Sequence, residues 1–194
     1  RMAKGRVVVE RLELEEGPAR TRAAGWLVPA DKTFELRAST RGLRLRALEV
    51  LNLPRLEGVL GATARLEGTL VRPKGRVDLK LAELAAGELE LGTGQGAFEL
   101  ESGAVDLEGQ IPELGATIEG RARLTTGLPF EARIELARSP APRLVGELLD
   151  LDLSGWTSLA ADLRGRLGAP GQIEGRVDVS RLRAEVAGMR LRMR

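Results

Sequence analysis

Phe130-Glu131-Ala132-Arg133-Ile134-Glu135-Leu136 is the stretch that decides the fold. Aliphatic or aromatic residues alternate one for one with charged ones, and a period of two marks a strand with a dry face and a wet face. The pattern spreads outward from there. Val77, Leu79 and Leu81 alternate with Arg76, Asp78 and Lys80, and Leu12 and Leu14 with Glu13 and Glu15. Ile118, Ala122 and Leu124 alternate with Glu119, Arg121 and Arg123, and Ile173, Val177 and Val179 with Glu174, Arg176 and Asp178. Leu89 with Leu91, Phe98 with Leu100, and Val105 with Leu107 add shorter runs. Between the runs, Gly17-Pro18, Val28-Pro29, Arg72-Pro73, Gly92-Thr93-Gly94, Leu128-Pro129 and Pro140-Ala141-Pro142 read as turns. The expected class is all-β, with about a dozen amphipathic strands in sheets dry on one side. Leu43 to Leu56 stands apart: it reads equally as a strand or as a short helix ending before Pro54.

Composition narrows the function classes. The 194 residues suffice for one large domain or two small ones. Charged residues are 30% and hydrophobic ones 43% of the chain, a balance of neither a disordered nor a membrane-spanning protein. Aromatic residues are only 3%, so the apolar face is built from Leu, Val, Ile and Ala. The net charge of +2 is spread among interspersed acids and bases and produces no broad positive field. The few lysines, at Lys4, Lys32, Lys74 and Lys80, against many arginines read as a GC-rich coding bias. No run of 18 apolar residues is present, so no helix spans a bilayer. The chain opens and closes inside patterned sequence without a visible signal peptide, and is expected to be a fragment of a longer protein.

The chain also repeats itself. Leu56, Gly58, Ala64, Leu66, Gly68, Leu70 and Pro73 recur 97 residues later (56 to 153) as Leu153, Gly155, Ala161, Leu163, Gly165, Leu167 and Pro170. Gly75-Arg76-Val77-Asp78 recurs as Gly175-Arg176-Val177-Asp178, Phe34-Glu35 as Phe130-Glu131, and Gly25 as Gly120. One repetitive unit over 1–194 is therefore expected, with internal repeats at about 25–119 and 120–194. Inside it, an apolar-x-Gly-x-apolar motif places Gly58, Gly68, Gly109, Gly146 and Gly165 on the apolar face of strands. Gly120 and Gly175 complete the set of expected curvature positions. Glycine at a strand centre marks a bend or a close backbone approach, so this series is expected to curl the sheet around its aliphatic side.

Candidate chemistry is sparse. His and Cys are both absent, which removes the commonest general base, the usual catalytic triads and soft-metal ligation. Glu13, Glu15, Glu16, Asp150 and Asp152 sit in alternating runs and read as solvated-face carboxylates; Asp150-Leu151-Asp152 lacks the glycine and terminal Glu of a calcium loop. Gly92-Thr93-Gly94-Gln95-Gly96 looks like a phosphate-cradling loop, but a strand follows it rather than the helix that motif requires. Arg181, Arg183, Arg190, Arg192 and Arg194 have no interleaved aromatics, so a nucleic-acid partner is not expected. Trp26 and Trp156 do not coincide under the repeat and read as core filling or edge residues. The expectation is a protein without catalytic residues, metal or cofactor.

The run Leu56-Glu57-Gly58, Ala64-Arg65-Leu66-Glu67-Gly68-Thr69-Leu70, Pro73 and Gly75, with its second copy from Leu163 to Asp178, resembles the repeat of TamB-like proteins of the translocation and assembly module. The wider AsmA-like group is similar. The resemblance implies a curled, elongated sheet, a taco-like open groove with an alkyl-lined interior. It also implies a bridge-like lipid-transfer role: phospholipid acyl chains shielded in the groove while moving between inner and outer membranes, in the periplasm. An inner-membrane anchor outside these residues and an outer-membrane barrel-assembly partner are implied as well. The groove lining would be Leu12, Leu14, Leu66, Leu70, Val77, Leu79, Leu81, Phe98, Leu100, Val105, Leu107, Ile118, Leu124, Phe130, Ile134, Leu136, Leu163, Leu167, Ile173, Val177 and Val179. The alternative reading is a structural β-solenoid or sandwich of an envelope or adhesin protein, with a closed dry core.

Overall fold

The computed structural model describes residues 2–3, 5–45, 56–86, 89–139, 153–166, 173–186 and 189–193. Among them the fold is all-β. The strands are β1 (Met2–Ala3), β2 (Arg6–Glu16), β3 (Ala19–Val28), β4 (Thr33–Arg44), β5 (Leu56–Thr69), β6 (Pro73–Ala86) and β7 (Leu89–Glu101). They continue with β8 (Ala104–Ile111), β9 (Ala116–Arg123), β10 (Pro129–Ser139), β11 (Leu153–Arg166), β12 (Glu174–Val186) and β13 (Met189–Met193). All thirteen lie in one antiparallel sheet whose spatial order is the chain order. The sheet is curled, and it is open, because β1 and β13 do not pair with each other.

Such a meander follows from local rules. Most neighbouring strands are joined by short turns, and residues 45–55 and 140–152 make the longer connections between β4 and β5 and between β10 and β11, so chain order is kept as sheet order. The longest strands, of 14 residues, reach roughly 46 Å at about 3.3 Å per residue. Thirteen strands about 4.8 Å apart extend the sheet by roughly 58 Å in the other direction.

The alternation is interrupted at defined places. Bulges separate Val9 from Leu12, Thr40 from Leu43, Leu136 from Ser139, and Ser158 from Leu159 opposite Arg181 and Val179. Another pairs Gly58 against Glu83 and Leu84, with Glu83 at φ 53°, and a further one makes Leu91 the extra residue of β7. Each inserts one residue, so side chains three apart (Leu81 and Leu84, Thr40 and Leu43) stay on one face. Bulges raise local twist and bend the strand, and those of β4, β6, β7, β10 and β12 lie toward the same side of the sheet. Beyond them a 3-10 turn, Pro112–Leu114, folds over the sheet end, closed by Gly115 at φ 56°.

Two expectations fail here. Gly92-Thr93-Gly94 is not a turn: β7 runs straight through it from Leu89. The bulge at Leu91 uses the glycine-rich segment to change register inside a strand, and glycine content alone does not distinguish such a bulge from a hairpin turn. Trp26 does not fill a core. It stands on the charged face, where its Nε1 donates to Glu35 Oε2 at 2.9 Å and the Arg6 guanidinium covers its ring at 4.0 Å. Of the ambiguous segment, Leu43 and Arg44 end β4 and Leu56 begins β5, while 46–55 lie outside the described residues. Pro140-Ala141-Pro142, Asp150 and Asp152 lie outside them as well.

Glycine is required at Gly75. It adopts φ 142°, and a Cβ there would collide with the Arg65 carbonyl. Gly61, by contrast, has its nearest neighbour 3.7 Å from a built Cβ and no left-handed φ. Gly75→Ala is expected to cost about 2 kcal/mol, and Gly61→Ala less than about 0.5 kcal/mol in either direction, as read from urea denaturation midpoints of the two variants.

Candidate functional site

The register assembles the aliphatic side chains into rows that cross the sheet. One row runs Val9, Gly25, Leu36, Leu66, Gly75, Leu100, Val105, Ala122, Phe130, Gly165. The next runs Leu12, Ala23, Ala38, Ala64, Val77, Phe98, Leu107, Gly120, Ala132, Leu163, Gly175. A third runs Leu14, Thr21, Thr40, Ala62, Leu79, Gly96, Gly109, Ile118, Ile134, Ala161, Val177. A fourth joins Leu43, Leu60, Leu81 and Gly94, and resumes as Ile111, Ala116, Leu136, Leu159 and Val179. Only Thr21 and Thr40 interrupt these rows with polar groups, and their hydroxyls bond each other at 2.9 Å.

The expected lining residues Leu12, Leu14, Leu66, Val77, Leu79, Leu81, Phe98, Leu100, Val105, Leu107, Ile118, Phe130, Ile134, Leu136, Leu163, Val177 and Val179 therefore share one face. Gly109, Gly120, Gly165 and Gly175 lie in the same rows. Gly68 faces Phe34 and Pro73, and Gly58 faces the β6 bulge. Three expected lining residues lie just outside the strands. Leu70 lies in the β5–β6 turn, 61% exposed, Leu124 follows β9, and Ile173 precedes β12. At these places the strand stops one residue short of where the alternation in sequence stops. Leu167 and Gly146 lie outside the described residues. Sequence reading misses Leu36, Leu60, Leu84 and Leu159 as members of this face, and Leu114 as the residue of the 3-10 turn buried beside it. The three-residue spacing from Leu81 to Leu84 is the available signal for a bulge.

The two sides of the sheet differ in burial. Every buried residue among the described ones lies on the aliphatic side: Ala19, Leu84, Leu91, Gly94, Leu114, Ala116, Ser139, Thr157 and Ala161. Leu84, Leu91, Leu114 and Ala116 form a small dry cluster under the 3-10 turn, with Ile111 and Leu136 packed against it. The opposite rim carries exposed aliphatic tips, Leu70, Val71, Leu124, Leu128 and Ile173. Toward the two ends of the sheet the aliphatic face is open: Leu14 and Val177 are each 58% exposed.

The other face is a lattice of ion pairs. Arg76 meets Asp78 at 2.7 Å, Lys74 meets Glu67 at 3.0 Å, Arg121 meets Asp106 at 3.1 Å and Arg164 meets Glu174 at 2.8 Å. These pairs are exposed, and each contributes little to stability. Their main effect is to keep this face in water. Open depressions of about 860, 800 and 680 Å³ lie among these charged side chains, floored by the backbone of the aliphatic rows. Their charged walls make them poor hosts for an alkyl chain. Among the described residues no group of three acidic side chains is placed to hold a metal ion.

Glu113 ties the 3-10 turn down. Its Oε1 accepts from the Thr93 backbone N–H and hydroxyl, each at 3.2 Å, and its carboxylate packs where a Gly92 side chain would otherwise stand. The glycine-rich segment that looks like a phosphate cradle thus holds a carboxylate of its own chain. Backbone amides of Glu113 and Thr93 hold the Glu113 carboxyl below its ordinary value of 4.5, against the opposing effect of desolvation. On the charged face, the Trp26 indole and then the Arg37 charge lower Glu35 in the same way.

Comparison with family models, curated proteins and solved structures returns no match. The class is therefore defined by the fold itself: an open antiparallel meander with one continuous aliphatic face and one charged face.

A lowered carboxyl stabilises the fold fully above its unfolded value, and that contribution is lost as pH falls through the folded value. The stability advantage of the wild type over Glu113→Gln is therefore expected to hold at neutral pH and to vanish below the ordinary carboxylate range. Urea midpoints of both proteins across that pH range check this.

Proposed function

We propose that this protein is a non-catalytic segment of a lipid conduit, shielding acyl chains along its aliphatic face. The observation that carries the reading is the continuity of the aliphatic rows from β2 to β12, with no charged side chain within them. Each methylene removed from water gains about 0.8 kcal/mol, so an acyl chain laid along the rows is held firmly. Neighbouring positions offer similar aliphatic surroundings, so the chain shifts along them at little cost. No polar anchor in these rows selects a head group.

The resemblance to TamB-like and AsmA-like repeats supports a periplasmic setting, between an inner-membrane anchor and an outer-membrane assembly partner. Phospholipid is the cargo this setting supplies. The closed-core reading has one observation in its favour, the dry cluster of Leu84, Leu91, Leu114 and Ala116. That cluster is confined to one rim, and among the described residues no second layer packs over the rows.

Mass spectrometry of the purified protein is expected to find co-purified phospholipid. Leu79→Glu, which places a charge in the third row, is expected to lower the bound amount at least about fivefold, given the cost of burying a charge. Lys80→Glu, one residue away on the charged face, is expected to leave it unchanged. A lipid-free wild-type protein that also fails to bind an apolar dye contradicts the proposal.

A further inference from the structure

The two copies of the repeat differ on their charged faces. In the second copy Arg133, Asp162 and Arg176 stand opposite one another across β10, β11 and β12. The adjoining row is Glu131, Arg164 and Glu174. Signs alternate in both directions, and Arg133 reaches Asp162 at 3.5 Å while Arg164 reaches Glu174 at 2.8 Å.

In the first copy the same positions hold Arg37, Arg65 and Arg76, with Glu35, Glu67 and Lys74 beside them. The β5 triplet Arg65-Leu66-Glu67 reverses the signs of Asp162-Leu163-Arg164. Three guanidinium-bearing residues therefore stand abreast on adjacent strands, over roughly 10 Å at about 4.8 Å per strand. Like charges directly opposite each other destabilise a sheet. Arg37 and Arg76 are partly neutralised by Glu35 at 3.0 Å and Asp78 at 2.7 Å. Among the described residues Arg65 makes no ion pair or side-chain hydrogen bond. Glu99, opposite Arg76, ends the row, and the whole lies in an open depression of about 440 Å³.

We propose that this arginine row docks an acidic polypeptide segment of a partner protein, whose carboxylates supply the alternation missing from the first copy. The row is linear and offers no converging backbone N–H groups, which suits an extended chain better than a single small anion. Same-face carboxylates of an extended segment lie roughly 6.7 Å apart, close enough for two of them to engage three flexible arginines. This surface lies on the face opposite the aliphatic rows, and its use does not depend on lipid binding.

The test uses a fluorescein-labelled hexaglutamate peptide and fluorescence anisotropy. Wild type is expected to bind it at one site, more weakly as salt rises from about 0.05 M to about 0.5 M. Arg65→Asp with Glu67→Arg keeps the net charge and restores alternation in the row of Arg37 and Arg76, while it sets two cations, at positions 67 and 74, opposite each other. It is expected to weaken binding about tenfold or more. Asp162→Arg with Arg164→Glu is expected to create a second site. Equal binding by wild type and the Arg65→Asp/Glu67→Arg protein overturns the proposal, as does absence of binding by wild type. Displacement of the peptide by inorganic phosphate at equal charge also overturns it, in favour of a small-anion site.

Discussion

The structure depends on keeping a two-residue period in register across thirteen strands. A slip of one residue between any two neighbours would turn the apolar set of one strand toward water and break every row at that point. Among the described residues the sheet has no second layer to correct such an error. Register is instead held strand by strand, through turns on both rims and through paired aliphatic contacts such as Leu36 with Leu66, Phe98 with Leu107 and Ile118 with Ile134.

Bulges bend the strands of this sheet without breaking the period. Each bulge adds a residue to one strand, so the aliphatic side resumes three residues later instead of two. Glycines in the rows then relieve crowding between neighbours. The Leu163 Cδ2 atom lies 2.6 Å from where a Gly175 Cβ would stand, and the Glu108 carbonyl oxygen lies 2.9 Å from a Gly96 Cβ. The aliphatic face can therefore curl while its leucines remain in line. The charged face has no such packing demands and carries ion pairs whose individual contributions are small.

Much of this was legible in the sequence, because a single-layer sheet writes its burial pattern directly into residue order. The strict alternation of Phe130 to Leu136 and of Arg76 to Leu81 placed both strands and their faces. Leu36, Leu66 and Gly75 stand opposite one another on adjacent strands, as Ala132, Leu163 and Gly175 do. Three things were not legible. Strand boundaries set Leu70, Leu124 and Ile173 just outside their strands, and alternation does not reveal where a strand stops. The bulge at Leu91 looked like a turn because both use glycine. The place of Trp26 on the charged face depended on its partners Glu35 and Arg6, which only the register brings together.

Whether the aliphatic rows form one continuous surface open to lipid is tested most directly by photo-crosslinking. A photoreactive amino acid is placed in turn at positions 77 to 81 and 132 to 136 in the presence of phospholipid. Lipid adducts are predicted at Val77, Leu79, Leu81, Ala132, Ile134 and Leu136, and not at Asp78, Lys80, Arg133 or Glu135. Adducts without that two-residue period, or none at any position, would contradict a continuous lipid-bearing face.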